Sequence, residues 1–133
     1  MTDQDFMAAF EDTSLNANLF NHEAHIRMGW IYATRYPLAD AIDRFARALK
    51  AYTEALGCAD KYHETITWFY MLLIAERQAE TQATSFDAFL AANPDLVATP
   101  SILTRYYSQD TLASARARQH YILPDRGTRQ EAA

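Results

Sequence analysis

Apolar residues recur every three or four positions through most of the chain, which is the periodicity of amphipathic helices. No stretch alternates apolar and polar residues with turn residues on both sides, so β-strands are not predicted. Only three glycines and four prolines interrupt the 133 residues. The pattern predicts an all-α, single-domain helical bundle of about five to seven helices.

The four main helices are predicted over about 3–11, 21–36, 37–57 and 61–80. Asn21 and Asp60 are suitable N-cap residues for the second and the fourth helix. Pro37 suits the first position of the third helix, and Gly57 suits its end. The run "TITWFYMLLIA" in the fourth helix is apolar on all sides, so the fourth helix is predicted to be the most buried. At 11 residues the run is too short to cross a bilayer, which needs about 20.

Shorter helices are predicted after Ser85, Pro100 and Ser108, each of which suits a helix start. The segment "NPDLVATP" is predicted to be a loop. We expect residues 1–124 to form the helical domain and residues 125–133 to form a flexible C-terminal tail.

Very short connections join the second, third and fourth helices, and such connections make neighbouring helices antiparallel. The second and fourth helices are therefore predicted to be parallel, with their N-termini at one end of the bundle. His22 and His25 lie at the start of the second helix, and His63 lies at the start of the fourth. If these two helices also pack together, the three histidines converge.

Three converging histidines would form a candidate metal site. His22 and His25 are three positions apart, so their side chains are neighbours on a helix. Imidazole suits Zn, Fe and Cu, and His63 would complete an open set of three ligands. Glu64 and Glu23 are then the candidate catalytic acid–base groups. The sequence "HEAH" is not the zinc-protease motif, because its histidines are one residue too close together.

Four further side chains are candidate binding residues at this end of the bundle: Arg27, Tyr62, Thr67 and Tyr32. Each also has an ordinary structural interpretation. Glu23 and Arg27 are spaced to form a surface ion pair, and tyrosines at helical spacing are more often part of a core. The hydroxyl of Thr67 either bonds to a backbone carbonyl or lines a pocket near His63.

Composition narrows the classes of partner. The net charge is −5 and no basic block exceeds two residues, so neither nucleic acid nor an anionic membrane is an expected partner. Cys58 is the single cysteine, and the acidic N-terminus does not resemble a signal peptide, so we expect a cytoplasmic protein. Aromatic residues make up 13% of the chain, which is a high load for a small core and suggests a homodimer.

The segments "LFNHEAHIRMGW", "KYHETIT" and "LTRYYS" together resemble a family of small, all-helical bacterial proteins of uncharacterised function. The resemblance covers about residues 20–108. It implies a helical fold and draws attention to the histidine motifs, but it implies no reaction. The C-terminal "ILPDRGTRQEAA" lacks the proline-rich end of that family.

Three functions remain open from the sequence. One is a metal-dependent enzyme of unknown reaction, with His22, His25 and His63 as ligands. The second is a module that binds a small molecule at the same polar end without a metal. The third is an interaction protein whose aromatic surface packs on a partner.

Overall fold

Seven α-helices account for most of residues 1–126, the part of the chain that the computed structural model describes. No strand occurs within these residues, and four short 3₁₀ turns lie between the helices. The all-α bundle predicted from the sequence is thus confirmed. The helices are α1 (Asp3–Glu11), α2 (His22–Arg35), α3 (Leu38–Ala55), α4 (Glu64–Thr81), α5 (Phe86–Ala92), α6 (Gln109–Ala113) and α7 (Ala115–Gln119).

Polar side chains begin the helices where the sequence predicted them. Thr2 and Asp5 form a reciprocal capping box at α1. The Asn21 side chain accepts a hydrogen bond of 2.9 Å from the Ala24 amide and so caps α2. Gly57 follows α3 with a φ of +74°, a left-handed conformation that glycine adopts without steric cost. These local signals explain why the predicted bounds of α1, α2 and α3 agree closely with the structure.

The start of α4 differs from the prediction. The helix begins at Glu64 with His63 as its N-cap, whereas Asp60 had been assigned that role. Residues Ala59–Lys61 form a separate 3₁₀ turn. His63 therefore lies just before the helix rather than in its first turn, and its ring takes the place of the usual small capping side chain.

The parallel arrangement of α2 and α4 is visible in two pairs of side chains. The His22 ring lies 5.5 Å from the Tyr70 ring, centroid to centroid. Eight residues further along each helix, the Trp30 indole N–H donates to the Gln78 side chain at 2.8 Å. Both helices thus advance in the same direction, and α3 returns between them and packs on both.

The two parallel helices are offset along the bundle axis. His22 is level with Tyr70, which follows His63 by seven residues. Seven residues of α-helix correspond to roughly 10 Å. Part of the offset arises because α3 has 18 residues and α2 has 14, which corresponds to roughly 6 Å. The Ala59–Lys61 turn then leads the chain to the start of α4. The N-termini of α2 and α4 share one end of the bundle, but they do not share one level.

The most enclosed segment belongs to α2. Five consecutive residues, Met28 to Tyr32, are buried. In α4 no residue from Glu64 to Ala75 is exposed, yet buried residues alternate with half-buried ones along most of this segment. The prediction that α4 would be the most buried helix is therefore wrong, because the chain covers α2 on every side at its centre.

The C-terminal helices pack against the start of α4. The Thr65 hydroxyl donates to the carbonyls of Ala117 and His120, at 2.7 and 2.9 Å, and accepts from the Ile122 amide. Asp125, which was placed in the expected tail, accepts hydrogen bonds from Ser108 and Thr111. The ordered domain thus extends to at least residue 126, and the rest of the expected tail, residues 127–133, lies outside the described residues.

None of the helices in residues 1–126 combines the length and the apolar character that crossing a membrane requires.

Candidate functional site

His22 and His25 lie in the first turn of α2, where His22 faces a backbone carbonyl and His25 stacks on an aromatic ring. The His22 Nε2 lies 3.1 Å from the Leu96 carbonyl oxygen, and because that oxygen can only accept, Nε2 carries the proton. The His25 ring stacks on Phe20 with centroids 3.9 Å apart. Burial, followed by the nearby His22, lowers the pKa of His25 to about 4, while a hydrogen bond to the Phe20 carbonyl acts in the opposite direction. His25 is therefore neutral near pH 7.

A neutral His25 ring has one N–H group and one nitrogen with a lone pair. The Phe20 carbonyl, whose influence raises the pKa, can interact only with the N–H group, because a carbonyl oxygen only accepts. The remaining nitrogen is an acceptor, and it belongs to a ring that forms part of the wall of two adjoining cavities.

The His63 ring uses both nitrogens for structure. Its Nδ1 accepts from the Ile66 amide at 3.2 Å, which caps α4. Its Nε2 donates to the Leu112 carbonyl at 2.8 Å, which ties the C-terminal helices to the start of α4. The side chain is buried, so replacing either partner by water is costly. No lone pair remains on this ring for a metal.

The structure does not assemble the predicted metal-ligand set. Within residues 1–126, no group of three or more histidine, cysteine, aspartate or glutamate side chains is placed to hold a metal ion. The physical reasons are the axial offset of α2 against α4 and the complete hydrogen bonding of His63. His22 and His25 are brought together near Tyr70, and His63 is not part of that pair.

An outer cavity of about 340 Å³ lies between the Ala17–Leu19 turn, α2, α3 and the start of α4. Apolar and aromatic side chains form most of its wall, and His25, His63, Tyr62 and Thr67 contribute polar atoms. The volume and this mixture of surfaces are typical of small-molecule sites. The remaining lining residues are Ala17, Phe20, Leu49, Tyr52, Thr53, Leu56, Cys58, Lys61 and Ile66.

A smaller inner compartment of about 90 Å³ adjoins the outer cavity, and the two share His25, Leu49, Ile66 and Thr67 in their walls. Its deep surface is mainly apolar and includes Gly29, where α2 approaches α4 closely. A Cβ atom at Gly29 would lie 3.1 Å from both the Ile74 Cδ1 and the Met71 Sδ. The missing side chain at this position therefore lets α2 and α4 pack closely along the wall of the compartment.

Arg27 and Glu23 lie away from the histidine cavity. Arg27 pairs with Asp3 of α1 at 2.7 Å, and its guanidinium covers the Phe6 ring at 4.5 Å. Arg27 thus forms its ion pair with Asp3 and not with Glu23, the partner that the sequence had suggested. Both residues instead line a wide surface cleft beside α1 and the start of α5. Arg27 therefore faces α1 and is not part of the wall of the histidine cavity.

Glu64 and Tyr62 form a hydrogen bond of 2.5 Å. Burial, then the bond to Glu64, raises the pKa of Tyr62. Glu64 lines a groove between α3 and α4 that does not include a histidine, so the structure places neither glutamate candidate on the wall of the histidine cavity. Tyr62, in contrast, reaches the cavity wall.

Of the other two binding candidates, Thr67 lines the cavity and Tyr32 belongs to the core. The Thr67 hydroxyl donates to the His63 carbonyl at 2.8 Å and lines both compartments. Tyr32 is fully buried among aromatic rings and donates to Glu11 at 2.6 Å, so it belongs to the core. Burial, then the bond to Glu11, raises the pKa of Tyr32.

Several cavity residues were not singled out as site candidates from the sequence. Phe20 lies just before α2 and stacks on His25. Leu49 and Tyr52 lie on the apolar side of α3, where the sequence does not distinguish a residue of a cavity wall from a residue of the core. Lys61 carried no signal, because its role depends on the turn that replaces the expected start of α4.

Compared with protein-family models, with curated proteins and with solved structures, the chain matches none of them.

Proposed function

We propose that the protein is a small-molecule binding module whose ligand occupies the outer cavity and the inner compartment, without a metal. The observation that carries this proposal is the neutral, half-buried His25, whose acceptor nitrogen belongs to a ring on the wall of an otherwise mainly apolar cavity. A ligand with an apolar body and one hydrogen-bond donor is complementary to this surface.

The metal-dependent alternative has less support. It requires His63 to give up a buried hydrogen bond at 2.8 Å and to lose the cap of α4. It also requires an acid–base group, but Glu23 and Glu64 line other surfaces. Binding without catalysis needs none of these changes.

Octan-1-ol is a suitable probe because it combines an apolar chain with one hydroxyl donor. Calorimetric titration of the full chain should show one octan-1-ol site. Thr53→Trp places a large ring on the wall of the outer cavity, whereas Glu54→Trp alters the neighbouring exposed residue outside the wall. Because the ring fills the ligand's space, Thr53→Trp should weaken binding at least about tenfold, a loss of ~1.4 kcal/mol. Glu54→Trp should leave the affinity unchanged.

His25→Leu keeps the approximate volume of the side chain but removes the acceptor. It should weaken octan-1-ol binding by about three- to tenfold, as expected for the loss of one hydrogen bond. Absence of binding to the natural sequence up to the solubility of octan-1-ol would overturn the proposed function. Equal affinity of Thr53→Trp and Glu54→Trp would do the same, since binding would then occur elsewhere.

A further inference from the structure

The wall of the outer cavity carries one charged side chain. That residue is Lys61, and no aspartate or glutamate is among the described residues of the wall. This arrangement stands out because the chain as a whole has a net charge of −5. A local excess of positive charge at a cavity favours a ligand of negative charge.

Lys61 is available to such a ligand. It is exposed on the turn before α4, and no described carboxylate lies within ion-pair distance of its amine. The other lysine, Lys50, is engaged elsewhere, since its amine lies 5.0 Å from the centre of the Tyr62 ring and its side chain lines the groove between α3 and α4. Lys61 thus lines the outer cavity, whereas Lys50 lines the groove between α3 and α4.

The deeper part of the site excludes charge. The inner compartment is lined mainly by apolar side chains such as Ile26, Met71 and Ile74. The rings of His22, His25 and Tyr70 complete its wall, and no lysine, arginine, aspartate or glutamate is among its described lining residues. Moving an ion into such surroundings without a partner costs several kcal/mol, so the charged end of a ligand remains near the exposed lysine. An apolar end, in contrast, gains by leaving water.

We propose that the ligand is an amphiphilic monocarboxylate whose carboxylate lies at Lys61, and whose apolar body extends toward Gly29 and carries the hydroxyl that donates to His25. This inference rests on the proposed function, because it names the class of molecule that the same cavity binds. The orientation makes Lys61 the residue that selects the sign of the head group and Gly29 the residue that sets the length of the body.

Three probes with the same chain separate the head groups: octanoate, octanamide and octylammonium. Octanoate should bind the natural sequence most tightly and octylammonium most weakly, with about a tenfold difference between them because attraction is replaced by repulsion. Lys61→Gln should weaken octanoate binding by about two- to fivefold, the range for an exposed ion pair, and leave octanamide unchanged. Lys50→Gln is the matched control and should leave all three affinities unchanged. Added salt should weaken only octanoate binding in the natural sequence.

Gly29→Ala tests the orientation of the chain. Its added methyl group crowds Ile74 and Met71 and so displaces side chains that line the inner compartment. Octanoate should therefore lose more affinity than hexanoate, which is too short to reach them. Equal losses for the two acids would overturn the inward direction of the apolar body.

The outcomes distinguish this inference from the proposed function. If octanamide or octylammonium binds as tightly as octanoate, or if Lys61→Gln has no effect, the carboxylate assignment is overturned while the binding function stands. If none of the probes binds and octan-1-ol also fails to bind, the proposed function fails together with this inference.

Discussion

The histidines near the cavity differ in what their ring nitrogens do. Both ring nitrogens of His63 form hydrogen bonds to the backbone, whereas His22 uses one nitrogen in this way and the His25 ring stacks on Phe20. The sequence predicted that these residues lie at helix starts, because local capping signals mark those starts. It did not predict the hydrogen bonds of His63, because the Leu112 carbonyl is 49 residues away and no local signal places it.

The double role of His63 leads to a prediction for stability. His63→Ala removes the cap of α4 and leaves the buried Leu112 carbonyl without its donor, so the free energy of unfolding should fall by about 2–4 kcal/mol. Urea unfolding followed by circular dichroism measures this change. His120→Ala, at an exposed position, is the control and should cost less than about 0.5 kcal/mol. A similarly small loss for His63→Ala would show that the two bonds contribute little.

The lowered pKa of His25 leads to a prediction for pH. Its ordinary value is 6.5 and its value in the fold is about 4, so between these values the unfolded chain binds the proton more strongly. The stability that comes from neutral His25 is complete above pH 6.5, declines as the pH falls from 6.5 to 4, and changes no further below that. The full difference is on the order of 3 kcal/mol.

Unfolding of the natural sequence and of His25→Leu at pH 7 and at pH 4 isolates this effect. The natural sequence should lose more stability between the two pH values than His25→Leu, because the variant has no group to protonate at this position. Parallel losses in the two proteins would mean that His25 titrates normally in the fold.

At the scale of helices, the sequence predicted that α2 and α4 are parallel but did not predict their relative positions along the bundle axis. Short connections determine that α2 and α4 are parallel, but the level of α4 depends on how far α3 extends and on the 3₁₀ turn before His63. The sequence did not predict this turn, because Asp60 is a suitable N-cap residue and indicates that the helix starts there. The offset of roughly 10 Å separates His63 from His22, and it explains why a correct topology gave an incorrect ligand set.

The far end of α4 is fixed by Arg77. Its guanidinium donates to both carboxylate oxygens of Asp95, at 2.9 and 2.8 Å, and to the Asn93 side chain at 2.9 Å. Arg77→Met should therefore lower the free energy of unfolding by about 1–3 kcal/mol, because buried Asn93 loses its donor and the turn that holds Asp95 loses its anchor.

The matched control for Arg77 is Arg47, which pairs with Asp43 on the surface of α3 with 78% and 51% of the two side chains exposed. Arg47→Met should cost less than about 0.5 kcal/mol, since exposed pairs within a helix contribute little. Thermal unfolding of both variants under the same conditions gives the comparison. Equal costs would refute the anchoring role of Arg77.

At the scale of the whole molecule, one chain covers its aromatic residues better than composition suggested. The chain contains 8 tyrosines, 7 phenylalanines and 2 tryptophans, and each of them is buried or half-buried. The exposed large apolar residues among residues 1–126 are Met1, Leu19, Leu38, Leu56 and Leu123. The aromatic content therefore no longer argues for a homodimer. The homodimer stays a prediction, and a measurement of the molecular mass in solution tests it.

The offset between α2 and α4 also specifies how a metal centre could be installed in this scaffold. Position 70, rather than position 63, is level with His22, and its ring shares the inner compartment with His22 and His25. His22 already faces a backbone carbonyl, the kind of outer contact that orients metal-ligating imidazoles, and stacking on Phe20 holds the His25 ring. Tyr70→His should thus create the three-histidine zinc centre that the natural chain lacks among its described residues.

Zinc titration monitored by calorimetry compares Tyr70→His with the natural sequence, which should bind at least about tenfold more weakly. Adding His25→Leu to Tyr70→His should remove the gain, whereas adding His120→Ala should preserve it. The axial offset of about two turns between α2 and α4 therefore keeps His63 away from His22. The same offset places position 70 where a single substitution to histidine would complete a metal site.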